Sequence, residues 1–320
     1  MNSSIAPSTQ TKVYRDPTLE FRDIMWPIIV MNLEKFIHTE FKNVHLCIIV
    51  AHVLTGSLKY SELEENGGIR HLLIELVTYF MEISESSDCL TLYSDEVDSL
   101  SVLLSLLGLM NKSIFVEYFR PYNNTKKAEH LTRWYHVFRN ILFSKNYRNS
   151  HAVEWMAIGR VLLSANKDLC PVLIETFESI HNDPCRITLL HKFLDFVLDF
   201  INFNRTLGYN LINIYLVEYL YSVPDMRAEM ANVLLSIWDK LDQDDLASLY
   251  DYTRTLVVSS LIDIPDVRSC MFKILHNFMV YDYKSHGCMD KVTRTIISYI
   301  DSDTYTHDRY QVFASDFKKW

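Results

Sequence analysis

The chain of 320 residues contains few glycines and prolines, seven and eight respectively. Sheet proteins built on tight turns use both residues often, so this composition argues against such a fold. Leucine, isoleucine, phenylalanine, tyrosine and methionine are plentiful and recur at helical spacing. The composition therefore predicts an all-α protein.

The six cysteines are scattered, and no Cys-x-x-Cys pair occurs. This distribution does not favour a small disulfide-linked fold. The longest apolar runs, near Ile24–Val30 and Leu100–Met110, fall short of the roughly 20 residues that a membrane-spanning helix needs. Residues 1–11 lack the basic and then apolar order of a secretory signal. We therefore expect an intracellular protein, cytoplasmic or nuclear, with no membrane span.

Several motifs of enzymes do not occur in the sequence: phosphate-binding glycine-rich loops, the Gly-x-Ser-x-Gly turn and His-Glu-x-x-His. Paired carboxylates do occur, at Glu64-Glu65, Asp95-Glu96 and Asp244-Asp245. They fall at predicted helix starts or in polar joins, where acidic side chains favour the helix N-terminus and are solvated. The sequence therefore predicts no catalytic residue, no cofactor and no metal site, and we expect a protein that is not an enzyme.

An internal repeat is marked by Arg186, Arg227 and Arg268, which stand 41 residues apart. After each arginine, the positions three, four, seven and eleven further on are apolar or alanine. A repeat of this length with two helices is typical of a stacked helical array, because one helix pair cannot bury its apolar face alone. From residue 169 onward, helices are predicted at 169–181, 184–201, 209–221, 224–240, 245–262, 265–280 and 288–301.

The predicted organisation is a flexible N-terminal lead at residues 1–15 and a single helical-repeat domain at 16–320. The domain has a less regular part, 16–166, and a regular part, 167–320. Helices of the less regular part are predicted at 17–38, 41–55, 67–84, 95–108, 112–119, 126–144 and 149–165.

The segment Pro265-Asp266-Val267-Arg268 resembles the signature between the two helices of HEAT repeats, and Pro224-Asp225-Met226-Arg227 is a near copy. Pro184-Cys185-Arg186 is one residue shorter and lacks the aspartate. Asn66-Gly67-Gly68-Ile69-Arg70 is more similar to an armadillo repeat. The resemblance implies a right-handed α-solenoid of HEAT/armadillo-like helical hairpin repeats, with about seven to eight helix pairs. The resemblance also implies hydrogen bonds between neighbouring units, formed by Asp225, Arg227, Asp266 and Arg268.

Charge is uneven, and residues 120–148 form a basic segment. It has seven cations and one acid, Glu129, although the chain as a whole has a net charge of −9. Its apolar residues recur at helical spacing, which predicts one buried stripe with Arg133, His136 and Asn140 facing away. The stripe consists of Leu131, Trp134, Tyr135, Phe138, Ile141 and Leu142. The predicted partner-binding residues are Arg120, Lys126, Lys127, Arg133, Arg139, Lys145 and Arg148.

Three interpretations of the basic segment stay open: a solvated helix face, recognition of an acidic protein surface, or binding of nucleic acid or anionic lipid. The acidity of the whole chain disfavours broad nucleic-acid binding, because duplex affinity grows with the number of phosphates neutralised. A complementary acidic segment at 62–98 is suited to steering a second partner or a second copy of the chain, or serves only solubility.

Near the C-terminal end, Tyr310, Phe313, Phe317 and Trp320 recur at i, i+3, i+7 and i+10. Such a stripe predicts either a cap docked on the preceding repeat or an exposed anchor for a partner. Arg309 lies 41 residues after Arg268 and favours a fourth copy of the repeat, with Val312 and Phe313 in step. Asp316 stands where an apolar residue is due, as an end cap of the array requires.

Together these features predict a non-enzymatic scaffold or adaptor that binds a protein partner, with an acidic surface, on an α-solenoid and helps assemble or regulate a multiprotein complex. The alternative is a helical subunit that associates with nucleic acid through the basic segment. A third possibility is an enzyme whose residue spacing matches no familiar motif.

Overall fold

The structure is a computed structural model that describes residues 44–57, 67–86, 94–144, 152–181, 183–203, 225–262 and 264–300. The chain divides into two compact units, Met1–Leu76 and Val77–Trp320. Every regular element in the described ranges is a helix, which confirms the all-α class. The handedness, the HEAT/armadillo type and the single domain at 16–320 stay predictions.

Twelve α-helices and one short 3₁₀-helix, Leu249–Tyr252, lie within the described ranges. The α-helices are α1 (Val44–Ser57), α2 (Gly67–Ser86), α3 (Ser94–Leu107), α4 (Lys112–Phe119), α5 (Asn124–Phe143), α6 (Ala152–Ser179), α7 (Pro184–Asn202), α8 (Met226–Trp238), α9 (Gln243–Ser248), α10 (Thr253–Ser260), α11 (Pro265–His286) and α12 (Asp290–Ile300). The 3₁₀-helix separates α9 from α10. The predicted lead at 1–15, the predicted helices at 17–38 and 209–221, and the aromatic stripe from Tyr310 lie outside the described residues.

In the unit Met1–Leu76, both described helical stretches bury apolar side chains at helical spacing. The buried residues of α1 include Cys47, Val50 and Leu54. In α2, Leu72 and Leu76 have almost no exposed surface. The apolar side chains after Arg70 are therefore core residues.

The helix α6 departs from the prediction, which placed two helices at 149–165 and 169–181. The structure has one continuous helix of 28 residues with Pro171 in its interior. Proline in this position removes a backbone hydrogen bond. Leu163 and Leu173, on either side of the expected break, are both buried, and such packing overrides local helix preference. The limit between the two predicted parts of the repeat domain, at 166/167, therefore falls inside a helix.

The predicted helix at 245–262 is interrupted by the 3₁₀-helix. There, Tyr250 donates a hydrogen bond to Asp282 at 2.7 Å, and Tyr252 donates one to Asp195 at 2.8 Å. The tighter winding lets these two tyrosines reach different neighbouring helices, α11 and α7. Helix α11 extends past the predicted end at residue 280 and stops at Gly287, whose φ of 72° is left-handed.

Within the unit Val77–Trp320, the helices pack in two rows. In the first row, α5 contacts α7, α7 contacts α10, and α10 contacts α12. In the second row, α6 contacts α8, and α8 contacts α11. The rows contact each other through α5 and α6, α7 and α8, and α10 and α11. Neighbouring helices thus cover one another along each row, as a helical repeat requires.

The three repeat arginines occupy equivalent places, in the first turns of α7, α8 and α11, and are 3%, 4% and 8% exposed. The apolar positions after them are buried, except for the half-buried Met279. The register of the repeat is therefore confirmed. These core residues are Leu189, Leu190, Phe193, Val197, Met230, Ala231, Leu234, Trp238, Met271, Phe272 and Leu275.

The hydrogen bonds that the described residues make with these arginines differ in kind. Arg186 bonds to Asp245, 59 residues further along the chain. Arg227 bonds to Asp225 at the start of its own helix, and Arg268 donates to the carbonyl of Ile262 at 3.2 Å. Of these three, only the Arg186 bond links distant helices, so the bond expected between units is wrong for the Asp225–Arg227 pair. Asp225 instead caps α8, since its side chain accepts from the Arg227 amide.

No single described helix has both the length and the apolar character needed to cross a membrane. Residues 100–107 and 112–119 pass such a test only as a pair, and these two helices are bent by 112°.

Candidate protein-interaction surface

Two asparagine caps position the first half of the basic segment. Asn111 begins α4, where its side chain accepts from the Ile114 amide at 3.0 Å. Asn123 begins α5 in the same way, with the Lys126 amide at 2.9 Å. These bonds satisfy amides that have no partner within the first helical turn. As a result Arg120, which follows α4, and Lys126 in the first turn of α5 are exposed at one junction.

The stripe predicted on α5 is buried, and its six residues are each at most 1% exposed. Tyr135 packs edge-on against Phe193 of α7, with ring centroids 5.3 Å apart. Complete burial raises the pKa of Tyr135 well above its usual value. Arg133 and His136 face solvent as predicted, whereas Asn140 is half-buried. The aromatic residues of the stripe therefore belong to the core and are not a stacking platform for nucleic-acid bases.

Two of the predicted binding cations have partners in neighbouring helices. Lys127 lies 2.9 Å from Glu175 of α6, and its side chain is only 15% exposed. Arg139 lies 2.6 Å from Asp199 and 3.5 Å from Asp195, both on α7. These pairs join α5 to the helices packed against it. Their charges are therefore largely neutralised within the fold.

The pKa values agree with this pairing. Burial by itself lowers the pKa of Arg139, but the hydrogen bond and charge of Asp199 outweigh it, so the pKa is raised. For Asp199, burial raises the pKa, and Arg139 opposes that shift. The acids beside Arg139 therefore offset the cost of burying its charge.

The other predicted cations differ in availability. Arg133 is half-exposed and lies 3.7 Å from Glu85, a distance too long for a hydrogen bond. Arg120 and Lys126 form no ion pair with any residue that the structure describes. Lys145 and Arg148 lie outside the described ranges. The cations open to a partner in the described part are thus Arg120, Lys126 and, in part, Arg133.

A groove runs between the first halves of α5 and α7 and has a volume of about 380 Å³. Arg133 forms part of its wall. We call it the α5–α7 groove, and it is lined by Glu129, Thr132, Arg133, Pro184, Cys185 and Thr188. A second, more polar hollow of about 610 Å³ lies at the junction of α5, α6 and α7. There Thr125 donates to Asp183, the cap of α7, at 3.0 Å.

Sequence reasoning missed a buried ion pair in the first turn of α7. Arg186 donates to both carboxylate oxygens of Asp245, at 2.8 and 2.6 Å. The two side chains are 3% and 2% exposed. The bond to Asp245 raises the pKa of Arg186. Asp245 also forms a capping box with Asp242 at the start of α9.

The pair Asp244-Asp245 was correctly placed at a helix start, but it was expected to be solvated. Only Asp244 is exposed, while Asp245 is buried. The pattern of two aspartates before an apolar residue indicates a helix start. It holds no information on which carboxylate faces an arginine 59 residues away.

No group of three or more histidine, cysteine, aspartate or glutamate side chains within the described ranges is arranged to hold a metal ion.

Residues 2–311 match the family described as the dedicator of cytokinesis (DOCK) TPR region. The chain is 21% identical to dedicator of cytokinesis protein 3 of Mus musculus over 299 residues, 88% of this chain and 14% of that protein. It is 23% identical to the Homo sapiens protein of the same name over 204 residues, 63% of this chain and 10% of that protein. It is 22% identical to dedicator of cytokinesis protein 4 of Mus musculus over 312 residues, 93% of this chain and 15% of that protein.

The chain therefore spans at most 15% of the length of these relatives. No solved structure matches it. The predicted helical-repeat superfamily agrees with the family description at the level of helical repeats, and the HEAT/armadillo type stays a prediction.

Proposed function

Because the chain belongs to the family defined by the DOCK TPR region, we propose that it is a non-enzymatic scaffold that holds an acidic protein partner on the surface around the α5–α7 groove. The observation that carries this proposal is that α5 has both ion-paired cations and a cation that is exposed to solvent. Lys127 and Arg139 are held by acids of the fold, whereas Lys126 faces solvent beside the groove.

The groove supplies the contact area that a partner needs. Its wall contains Pro184 and Cys185, and Ile187 on the same helix is 40% exposed. Affinity in such interfaces comes from a few buried side chains. The rigid positions of α5 and α7, fixed by their shared aromatic core, reduce the entropy lost when a partner binds.

The open cations set the choice of partner and the rate of encounter. Arg120 and Lys126 flank the start of α5, and both are exposed. Exposed charges contribute little binding energy each but attract a surface of opposite sign. An acidic partner segment placed in the groove therefore meets Arg120 and Lys126 near one end and contacts Pro184 and Cys185 on the α7 wall.

The experiment compares the full chain with the double variant Arg120→Glu and Lys126→Glu. Proteins captured from cell extract are quantified by mass spectrometry, and the matched control is Arg254→Glu with Lys284→Glu, which reverses two exposed cations elsewhere. We expect the first variant to lose most of its captured partner while its circular dichroism stays unchanged. Equal capture by both variants would remove Arg120 and Lys126 from the interface.

A further inference from the structure

Exposed apolar side chains are concentrated at one end of the described array. Seven large apolar residues are exposed among the described side chains, and four of them lie between residues 280 and 297. The most exposed of the four is Tyr283, at 57%. The others are Val280, Met289 and Ile297. Such a concentration marks an interaction surface rather than the scattered apolar residues of an ordinary exterior.

Val280 and Tyr283 lie on α11, the last described helix of the second row. One side of α11 contacts α8, whereas α12 belongs to the first row through its contact with α10. In a stacked array the next helix of the second row would cover the other side of α11. The exposed face of α11 that carries Val280 and Tyr283 is therefore available to such a helix.

The sequence provides a segment in register with this position. Arg268 begins the core pattern of α11, and Arg309 follows it by one repeat length of 41 residues. Val312 and Phe313 then correspond to the buried Met271 and Phe272. Trp320 corresponds in the same way to Met279.

We infer that the exposed face of α11, with Val280 and Tyr283, is a docking surface for the segment Arg309–Trp320 of the same chain. As a helix, these residues would be about 18 Å long. Residues 301–308 after α12 span at most about 26–29 Å when extended. The segment is therefore tethered close to α11, and its effective concentration of about millimolar order favours it over a second molecule of the chain.

Hydrogen exchange on the full chain tests this docking directly. We expect amides of 310–320 to exchange at least about ten-fold more slowly than in an unstructured peptide, because docking must open before exchange occurs. Tyr283→Asp should abolish this protection. The control Ser101→Asp, at an exposed polar position of α3 away from α11, should preserve it. Unprotected amides in the wild-type chain, or protection that survives Tyr283→Asp, would overturn the inference.

A double-mutant cycle separates docking from independent effects on folding. Tyr283→Asp and Phe313→Asp should each lower the melting temperature by several degrees. Together they should lower it no further than the larger single change, because both remove the same contact. Additive losses would overturn the inference.

Sedimentation at several concentrations decides between the segment and a second copy of the chain as the occupant. A monomer that retains protection of 310–320 supports docking within one molecule. A dimer that dissociates on Tyr283→Asp assigns the α11 face to a second copy and overturns it.

Discussion

Replacing Arg186 with methionine tests how the repeats are held together. The substitution keeps much of the side-chain volume but leaves the Asp245 carboxylate buried without its cation. Asp245 is 2% exposed and accepts two hydrogen bonds from Arg186, at 2.8 and 2.6 Å. Breaking a buried pair by removing one partner costs about 3–5 kcal/mol. We therefore expect the free energy of unfolding to fall by that amount.

The expected change in melting temperature follows from the size of the unit Val77–Trp320. In a domain of this size, each kcal/mol lowers the melting temperature by about 2–4 °C. The Arg186→Met variant should therefore melt roughly 6–20 °C lower, as measured by circular dichroism and by urea titration.

Arg227→Met provides the matched control, since Arg227 occupies the equivalent position in the next repeat. Its partner Asp225 is 26% exposed and still caps α8 through a backbone amide when the guanidinium is removed. We expect a clearly smaller loss than for Arg186. Equal losses in the two variants, or a loss below about 1 kcal/mol for Arg186→Met, would contradict the buried-pair reasoning.

Three further predictions concern the core, a helix end and pH. Leu275→Ala, at a fully buried repeat position, should lower the free energy of unfolding by about 2–5 kcal/mol in urea titration; a loss typical of surface sites would place the repeat out of register. Gly287→Ala should lower it by about 1–2 kcal/mol because φ is 72° while the added Cβ meets no atom; an unchanged urea midpoint would refute this. Hydrogen bonds from the Cys185 amide and other donors hold the pKa of Asp183 below its usual value, so its contribution is present above about pH 4 and lost as pH falls. Asp183→Asn should therefore weaken the acid dependence of the melting temperature between pH 5 and 2, and identical profiles would contradict it.

The distinction between paired and open cations changes how the basic segment is understood. Seven cations on one stretch of sequence predict a strongly positive surface. In the fold, Lys127 bonds to Glu175 of α6, which is 48 residues away along the chain. Arg139 bonds to Asp199 of α7, which is 60 residues away. The positive charge left for a partner is therefore concentrated at Arg120 and Lys126, near the start of α5.

Local sequence patterns predicted some helices correctly and others incorrectly, for physical reasons. The stripe of α5 was predictable because six apolar residues at helical spacing permit only one buried face. The continuity of α6 through Pro171 was not predictable, because proline and the polar residues before it locally favour a break in the helix. Packing of Leu163 and Leu173 against neighbouring helices outweighs that preference.

The sequence by itself determined the all-α class and the 41-residue register, since periodic apolar spacing is a local property of the chain. Only the tertiary structure decided which acid meets which cation. Arg186 finds Asp245, whereas Arg227 stays with its own cap. Such pairs depend on how distant helices stack, and the separation of two residues along the chain does not reveal their separation in space.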